Sequence, residues 1–265
     1  MLSRVYSCAV VGLEGVIVEV EVDYTNGLPG VTIVGLPDAA VQESRERVQT
    51  AVKNAGLHFP RHRIVVNLAP AVVRKEGPAY DLPIALGVVI LAGYLPHESI
   101  EGALVIGELS LDGTVRHTRG VLPMAAAARA NGYKRMFVPE VDAPEAALIP
   151  NLDVYPVKSL AHLHDHLTGR HLIEPYQPSS SDLPEPLFTP TDFAEVKGQE
   201  HVKRALEVAA AGGHNLIMVG SPGAGKTLLA RALPGILPEM SIEESLDVTR
   251  IYSVADQLPA GTPLI

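Results

Sequence analysis

Eight consecutive residues carry the clearest chemical pattern in this sequence: Gly220-Ser221-Pro222-Gly223-Ala224-Gly225-Lys226-Thr227. They fit G-x-x-x-x-G-K-[ST], in which the glycines let successive backbone N–H groups turn towards phosphate oxygens. In that pattern Lys226 reaches the β- and γ-phosphates of a nucleotide, and the hydroxyl of Thr227 coordinates Mg²⁺. The segment therefore predicts that the chain binds ATP together with Mg²⁺.

The segments on both sides of this loop match the context that phosphate binding needs. The apolar run Leu216-Ile217-Met218-Val219 predicts a buried parallel strand that ends at the loop, and residues 227–233 predict the helix that follows. A helix N-terminus adds a favourable partial positive charge for anions. A glycine-rich turn that matches by chance is the alternative, but the order of strand, loop and helix favours a phosphate site.

The composition is that of a globular protein. The 265 residues, of which 47% are hydrophobic and 19% charged, suffice for two domains that each bury a core. The longest apolar run, residues 84–92, is about half the length of a membrane-spanning helix, so we expect a cytoplasmic protein with no membrane partner. A single cysteine, Cys8, excludes an intramolecular disulfide and a cysteine-based zinc site. The net charge of −9 gives no support for strong nonspecific nucleic-acid binding by this chain alone.

Strands and helices alternate irregularly over residues 1–171. Period-two patterns predict strands over 5–10, 16–22, 31–34, 63–68, 104–109, 114–116, 135–138 and 154–157. Helical patterns predict helices from Asp38 to about residue 55 and over 82–91, 123–130 and 159–167. Because the early strands follow one another without helices between them, the pattern indicates an α+β domain and not a doubly wound sheet.

Three polar residues are predicted to cap these helices: Asp38, Asp81 and Ser159. On the helix after Asp38, the charged residues are expected to face solvent, since the apolar positions define the opposite face. These charged residues are Glu43, Arg45, Glu46 and Arg47.

Residues 172–190 differ from the rest in composition. They are rich in proline and serine and have almost no apolar periodicity, which predicts an extended linker. The linker separates a first domain, residues 1–171, from a second segment, residues 191–265, that contains the phosphate loop.

The second segment resembles the start of an AAA+ ATPase domain. A Val-x-Gly-Gln turn, Val196-Lys197-Gly198-Gln199, opens a predicted helix over residues 200–211 shortly before the phosphate loop. In AAA+ proteins this turn packs against the adenine, so the resemblance implies that Val196, Gly198 and Gln199 contact the nucleotide. The run over residues 229–238 is similar to the magnesium-chelatase-like branch, and most closely to its ComM/YifB group.

That resemblance implies a function for the intact protein. ComM/YifB proteins are hexameric, ATP-driven DNA helicases that promote branch migration in natural transformation, so ATP, Mg²⁺, further copies of the chain and single-stranded or branched DNA are the implied ligands and partners. An ATPase subunit of a magnesium chelatase is the alternative. Such subunits generally start at the ATPase domain, so the preceding domain favours the ComM-like interpretation.

The first domain resembles Lon protease. This resemblance implies a fold like that of domain 2 of ribosomal protein S5. The similar segments are residues 77–81, 107–115 and 125–132. Lon peptidases use a serine activated by a lysine, and the matching positions here hold Ala79 and Pro123. Neither residue can attack a peptide or accept a proton, so we expect no protease activity. A non-enzymatic interaction module is therefore a third interpretation.

A group of histidines has some features of a metal site. It consists of His162, His164, His166 and His171. His162 and His166 are four residues apart and share a helix face, which suits two ligands of one ion. No cysteine or glutamate nearby completes a site, so a partly solvated helix is favoured.

A group of basic residues near the predicted strand 63–68 has two interpretations. It consists of Arg61, His62, Arg63, Arg74 and Lys75. It could form a basic mouth for nucleic acid or a neighbouring subunit. Short basic groups are usually ordinary surface, which is the favoured interpretation.

The acidic half of an ATPase site does not follow the loop. No apolar run after Thr227 ends in Asp-Asp or Asp-Glu, the pair that holds Mg²⁺ and orients the attacking water. Asp247 and Asp256 lie in helical or irregular sequence. We therefore expect nucleotide binding without competent hydrolysis, as in a C-terminally truncated member of the group with an incomplete ATPase domain.

Overall fold

The computed structural model describes residues 2–178, 191–258 and 264. The chain divides into two compact units, one made of Met1–Leu183 with Asp247–Ile265 and the other of Pro184–Leu246. Much of the predicted linker, residues 179–190, lies outside the described residues. Within the described ranges, no helix combines the length and the apolar character needed to cross a membrane.

A mixed sheet forms the centre of the first unit. The strands are β1 (Ser3–Val11), β2 (Glu14–Thr25), β3 (Gly30–Val34), β4 (Arg63–Ala69), β5 (Ala103–Val105), β6 (Glu108–Leu109), β7 (Val115–Arg116), β8 (Arg135–Pro139) and β9 (Asp153–Val157). Seven strands pair in the order β3-β4-β2-β1-β5-β8-β9, and β6 pairs with β7 in a separate ribbon. The pairs β1–β2 and β2–β4 are antiparallel, whereas the other neighbours in the large sheet are parallel. The unit is therefore mixed α/β with more parallel than antiparallel pairs, where an α+β domain with meandering early strands was predicted. Of the first three strands, only β1 and β2 form a hairpin, because β3 pairs in parallel with β4 and not with β2.

Helices cover both faces of the sheet. They are α1 (Ala39–Asn54), α2 (Asp81–Leu91), α3 (Val121–Ala130), α4 (Ala143–Ala146) and α5 (Leu160–Leu167). Alternation along β1 separates two cores, because Val5 and Ala9 pack with α1, α2 and α5, whereas Cys8 packs with α3 and α4. The sequence did not predict α4, since four residues are too few to show a helical period.

The packing of α3 on the sheet is unusually close at Gly15 in β2. A Cβ atom there would lie 2.5 Å from the carbonyl oxygen of Pro123 and 3.0 Å from the Sγ of Cys8. Cys8 is itself fully buried, and burial raises the pKa of its thiol to about 12. Because Gly15 has no side chain, α3 can pack this close to β2.

Two of the predicted caps are present. The Asp38 carboxylate accepts a hydrogen bond from the Val41 amide at 2.8 Å, and the Ser159 hydroxyl accepts one from the His162 amide at 3.2 Å. Both groups satisfy amides that the first turn of a helix leaves without a partner. The prediction was confirmed at both positions because a cap depends on residues that are adjacent in sequence.

Asp81 and Arg47 were predicted incorrectly. Asp81 lies within α2, after a 3₁₀ turn over Pro78–Tyr80, and its fully buried carboxylate does not cap the helix. It accepts hydrogen bonds from the Ser44 hydroxyl, the Arg47 guanidinium and the Leu109 amide instead. Arg47 therefore points towards α2 and not into solvent, because a buried carboxylate requires a cation and donors to remain in the interior.

The second unit is smaller and mainly helical. Its described part contains α6 (Glu200–Gly212), α7 (Lys226–Ala232) and the first residues of α8 (Ile242–Val254). The predicted strand at residues 216–219 is wrong, since these residues have no strand pairing and Ile217 and Val219 are almost fully exposed. A strand needs a neighbour to hydrogen-bond, and residues 191–246 show no other strand.

Candidate functional site

The glycine loop predicted to bind phosphate leads directly into α7. Gly223 and Gly225 both have a φ of +82°, a left-handed backbone conformation that side chains rarely adopt. The helix begins at Lys226, and the Leu229 amide donates to the Gly225 carbonyl oxygen at 3.0 Å. The loop therefore turns sharply into a helix N-terminus, where the first amides have no acceptor within the helix and are available to an anion.

The Lys226 side chain folds back over this loop. Its Nζ donates to the carbonyl oxygens of Gly220 and Ser221, each at 2.8 Å. Thr227 follows in the first turn of α7 and is exposed. The structure thus places the Lys226 ammonium group at the loop, with Thr227 as the next residue of the helix.

Val196 lies in the same small core as α7. The buried residues of that core are Val196, Leu206, Leu229 and Ala232. Gly198 and Gln199 follow with φ of +71° and +58°, and the Gln199 carbonyl accepts from the Val202 and Lys203 amides at the start of α6. The turn and the phosphate loop are thereby parts of one packed unit, although the adenine contacts of Val196, Gly198 and Gln199 remain predictions.

A second candidate site is a cleft of about 620 Å³ in the first unit. Ala79 lines it, at the position where a Lon peptidase has its serine, and Gly120 lines it close to Pro123, which stands in place of the lysine. Ala79 is buried and has no reactive atom. At the position predicted for the Lon serine, the cleft therefore holds a side chain without a nucleophilic atom.

One of the charged residues that line this cleft is His117. Its Nδ1 lies 2.5 Å from an oxygen of Asp142, and its Nε2 lies 3.1 Å from an oxygen of Asp256. These carboxylates, first Asp142 and then Asp256, raise the pKa of His117 to about 9. The imidazole is therefore protonated at neutral pH and donates from both nitrogens.

A buried carboxylate lies behind His117. Glu145 accepts from the Leu122 amide at 2.7 Å and from the Ser253 hydroxyl at 2.6 Å, and burial raises its pKa. Sequence analysis did not single out His117, Glu145 or Ser253. They belong to no local motif, and 139 residues separate His117 from Asp256, so no signal in one sequence could have joined them.

The histidine cluster and the basic cluster differ from the arrangements considered from sequence. Described residues contain no group of three or more potential ligands that could hold a metal ion. His166 stacks against Phe137 and Tyr155 instead, with ring centroids 5.6 and 5.3 Å apart. Lys75 is fully buried and donates to the Pro70 carbonyl, so it cannot belong to a basic mouth on the surface.

Two family models match the chain. Residues 20–142 match the model described as subunit ChlI of Mg-chelatase, and residues 192–264 match the model described as magnesium chelatase, subunit ChlI. A Lon protease of Mycolicibacterium smegmatis is 26% identical over 167 residues, which are 58% of this chain and 21% of that protein. This similarity agrees with the Lon-like interpretation of the first unit.

Longer stretches are similar to two bacterial proteins. YifB of Salmonella typhimurium is 40% identical over 255 residues, and competence protein ComM of Haemophilus influenzae is 36% identical over 259 residues. Each match covers 96% of this chain and 50% of the relative, so the chain spans about half the length of these relatives. With the family models matching both parts and these identities extending over nearly the whole sequence, the chain belongs to the ComM/YifB family of magnesium-chelatase-like proteins.

Proposed function

We propose that the chain binds ATP with Mg²⁺ at the loop Gly220–Thr227, which forms the start of an AAA+ ATPase domain. The observation that carries this proposal is the Lys226 ammonium held over a glycine loop that opens a helix. Membership of the ComM/YifB family supports the same assignment. Binding, not turnover, is the activity proposed for the 265 residues themselves.

Each residue of the site has a defined part in binding. Lys226 exchanges two neutral carbonyl acceptors for charged phosphate oxygens, and such charge-assisted hydrogen bonds are about twice as strong as neutral ones. Thr227 holds Mg²⁺ through its hydroxyl, and the metal ion neutralises charge on the phosphates when bound. The amides at the start of α7 donate to the remaining phosphate oxygens.

For the intact protein, we propose an ATP-driven motor that acts on DNA. The family resemblance supports a cytoplasmic homohexamer. This assembly would bind single-stranded or branched DNA and promote branch migration. Val196, Gly198 and Gln199 are proposed to contact the adenine.

Substitution of Lys226 tests the binding site. We expect the 265-residue chain to bind a fluorescent ATP analogue saturably in the presence of Mg²⁺, and Lys226→Ala to weaken binding by about 10-fold or more, since hydrogen bonds to charged groups contribute about 1.5–3 kcal/mol. Lys53→Ala makes the same change at an exposed lysine in the last turn of α1 and should leave affinity unchanged. Equal affinities of the two variants would contradict the proposal.

The first unit supports a second function, as an interaction module. Its cleft is retained although Ala79 occupies the nucleophile position, and a cavity kept without its chemistry favours recognition over hydrolysis. Binding of a partner protein that persists in Lys226→Ala would assign that role to the first unit.

A further inference from the structure

The cleft in the first unit is contacted by a segment from far along the chain. Residues Asp247–Ile265 belong to this unit, and Val254 and Asp256 line the cleft together with Ala79, His117 and Gly120. The described part of this segment that follows directly on the second unit, residues 247–258, consists of the second half of α8 and the turn after it. The last turn of α8 therefore forms part of the wall of this cleft.

Three kinds of contact hold this helix end. The Gly120 amide donates to the Ser253 carbonyl oxygen at 3.1 Å, which gives a partner to a carbonyl in the last turn of the helix. The Ser253 hydroxyl donates to the buried Glu145 at 2.6 Å, and Asp256 meets the Nε2 of His117 at 3.1 Å. Backbone, hydroxyl and carboxylate of one short segment thus each have a separate partner in the first unit: Gly120 and His117 line the cleft, whereas Glu145 is buried behind them.

Burial and charge agree with these contacts. Ser253 is 3% exposed and Thr249, one turn earlier on the same face of α8, is fully buried. His117 places a positive charge beside the C-terminus of α8, where the helix dipole favours a cation. The C-terminus of the helix carries a partial negative charge, and the Asp256 carboxylate beside it adds a full negative charge that also faces His117.

We propose that the cleft is a docking site for a helix C-terminus and that this chain's own residues 253–256 are its resident ligand. Glu145 recognises the serine hydroxyl, and His117, held by Asp142, recognises the carboxylate three residues later. While the segment is docked, it engages Glu145 and His117, and the cleft beside it keeps a volume of about 620 Å³. A partner of the first unit that used these same two contacts would therefore have to displace the end of α8.

Hydrogen exchange of the full chain tests this proposal. A helix of 13 residues is marginal alone in water, so slow amide exchange over residues 249–256 reports docking. We expect Ser253→Ala/Asp256→Asn to accelerate exchange there by at least about 10-fold, as the loss of two buried or charge-assisted contacts predicts. Glu243→Gln, which removes an exposed carboxylate from the first turn of the same helix, is the matched control and should change nothing.

The pH dependence provides a second measurement that needs no variant. The charged groups around His117 are Asp142 and Glu145 from the segment before and within α4, and Asp256 after α8, with Glu76, Glu108 and Arg119 also lining the cleft. Asp142 first and then Asp256 raise the pKa of His117 to about 9, so its positive charge, and with it the attraction to Asp256, is present at neutral pH and lost as pH rises through about 9. Exchange over residues 249–256, corrected for its intrinsic rate, should accelerate as pH rises through that value.

Two results would overturn the proposal: exchange over 249–256 in the parent as fast as in a free peptide, or equal exchange in the parent and the double variant. Exchange of β1 and β2 amides shows whether the double variant has retained the fold. Should those amides lose protection, Asp256→Asn alone and the pH series decide the matter, since neither removes the hydroxyl contact of Glu145.

Discussion

Arg47 and Asp81 join α1 to α2 through two hydrogen bonds, Nε to Oδ2 at 2.6 Å and Nη2 to Oδ1 at 3.1 Å. Asp81 is fully buried, and burial raises its pKa while Arg47 and Ser44 act in the opposite direction. Removing one partner of such a pair leaves an uncompensated charge in the interior. Loss of Arg47 would therefore lower the stability of the fold chiefly because the Asp81 carboxylate would stay buried without a cation.

Substitution of Arg47 should be costly. We expect Arg47→Ala to lower the free energy of unfolding by about 3–5 kcal/mol, the range for breaking a buried ion pair, as measured by chemical denaturation. Arg45→Ala removes an exposed guanidinium from the same helix and should change stability by no more than about 0.5 kcal/mol. If the two variants unfold at the same denaturant concentration, the Arg47–Asp81 pair does not have this role.

At the residue scale, predictability followed distance along the chain. Asp38 caps a helix three residues away, and its role was correctly predicted from sequence. Arg47 and Asp81 are 34 residues apart, and a charged residue on a helix looks solvated until its partner is known. The prediction that Lys75 lies at the surface was wrong for the same reason, since the burial of this side chain depends on the fold and not on its neighbours in sequence.

At the scale of elements, the close contact between α2 and β2 organises the larger core. All residues of α2 are buried, and Gly87 lies against Val22. The Ser3 hydroxyl of β1 also donates to the Gly87 carbonyl oxygen at 2.8 Å. Omission of a side chain at Gly87 is therefore what lets this helix rest on the sheet.

Gly87→Ala tests that packing. A Cβ at residue 87 would lie 2.6 Å from the Cγ2 of Val22, so the helix must move away from the sheet. We expect a net loss of about 1–2 kcal/mol in unfolding free energy, because overpacking outweighs the better helix propensity of alanine. Val22→Ala provides space for the new methyl group, so the double variant should be more stable than the sum of the single effects predicts. Strict additivity would argue against the contact.

Element prediction succeeded where a pattern was both local and long. The bounds of α1, β2 and β4 agree with their periodicity to within a few residues. Residues 216–219 have the apolar run of a strand but do not form one. Residues 191–246 offer no second strand with which they could pair. The proposed phosphate loop could be predicted from sequence because its glycines, lysine and threonine are contiguous, and phosphate binding there stays a prediction.

At the scale of the whole molecule, the chain covers half the length of its YifB and ComM relatives. A protein of that full length carrying this sequence should hydrolyse ATP, and we expect branched or single-stranded DNA to raise the rate several-fold. The Lys226→Ala protein is the control for contaminating ATPases. No stimulation by DNA, and no branch migration, would refute the helicase proposal and favour the alternative of a chelatase-like subunit.

The burial of Cys8 between the sheet and α3 has a practical consequence for labelling experiments on this protein. The thiolate is the nucleophilic form of cysteine, and a fully buried thiol with a pKa of about 12 is almost entirely protonated at neutral pH. Since Cys8 is the only cysteine of the sequence, a cysteine introduced at an exposed position would be the one that labelling reagents reach. Fluorophores or spin labels can therefore be attached beside α8 and the cleft without first removing the native thiol.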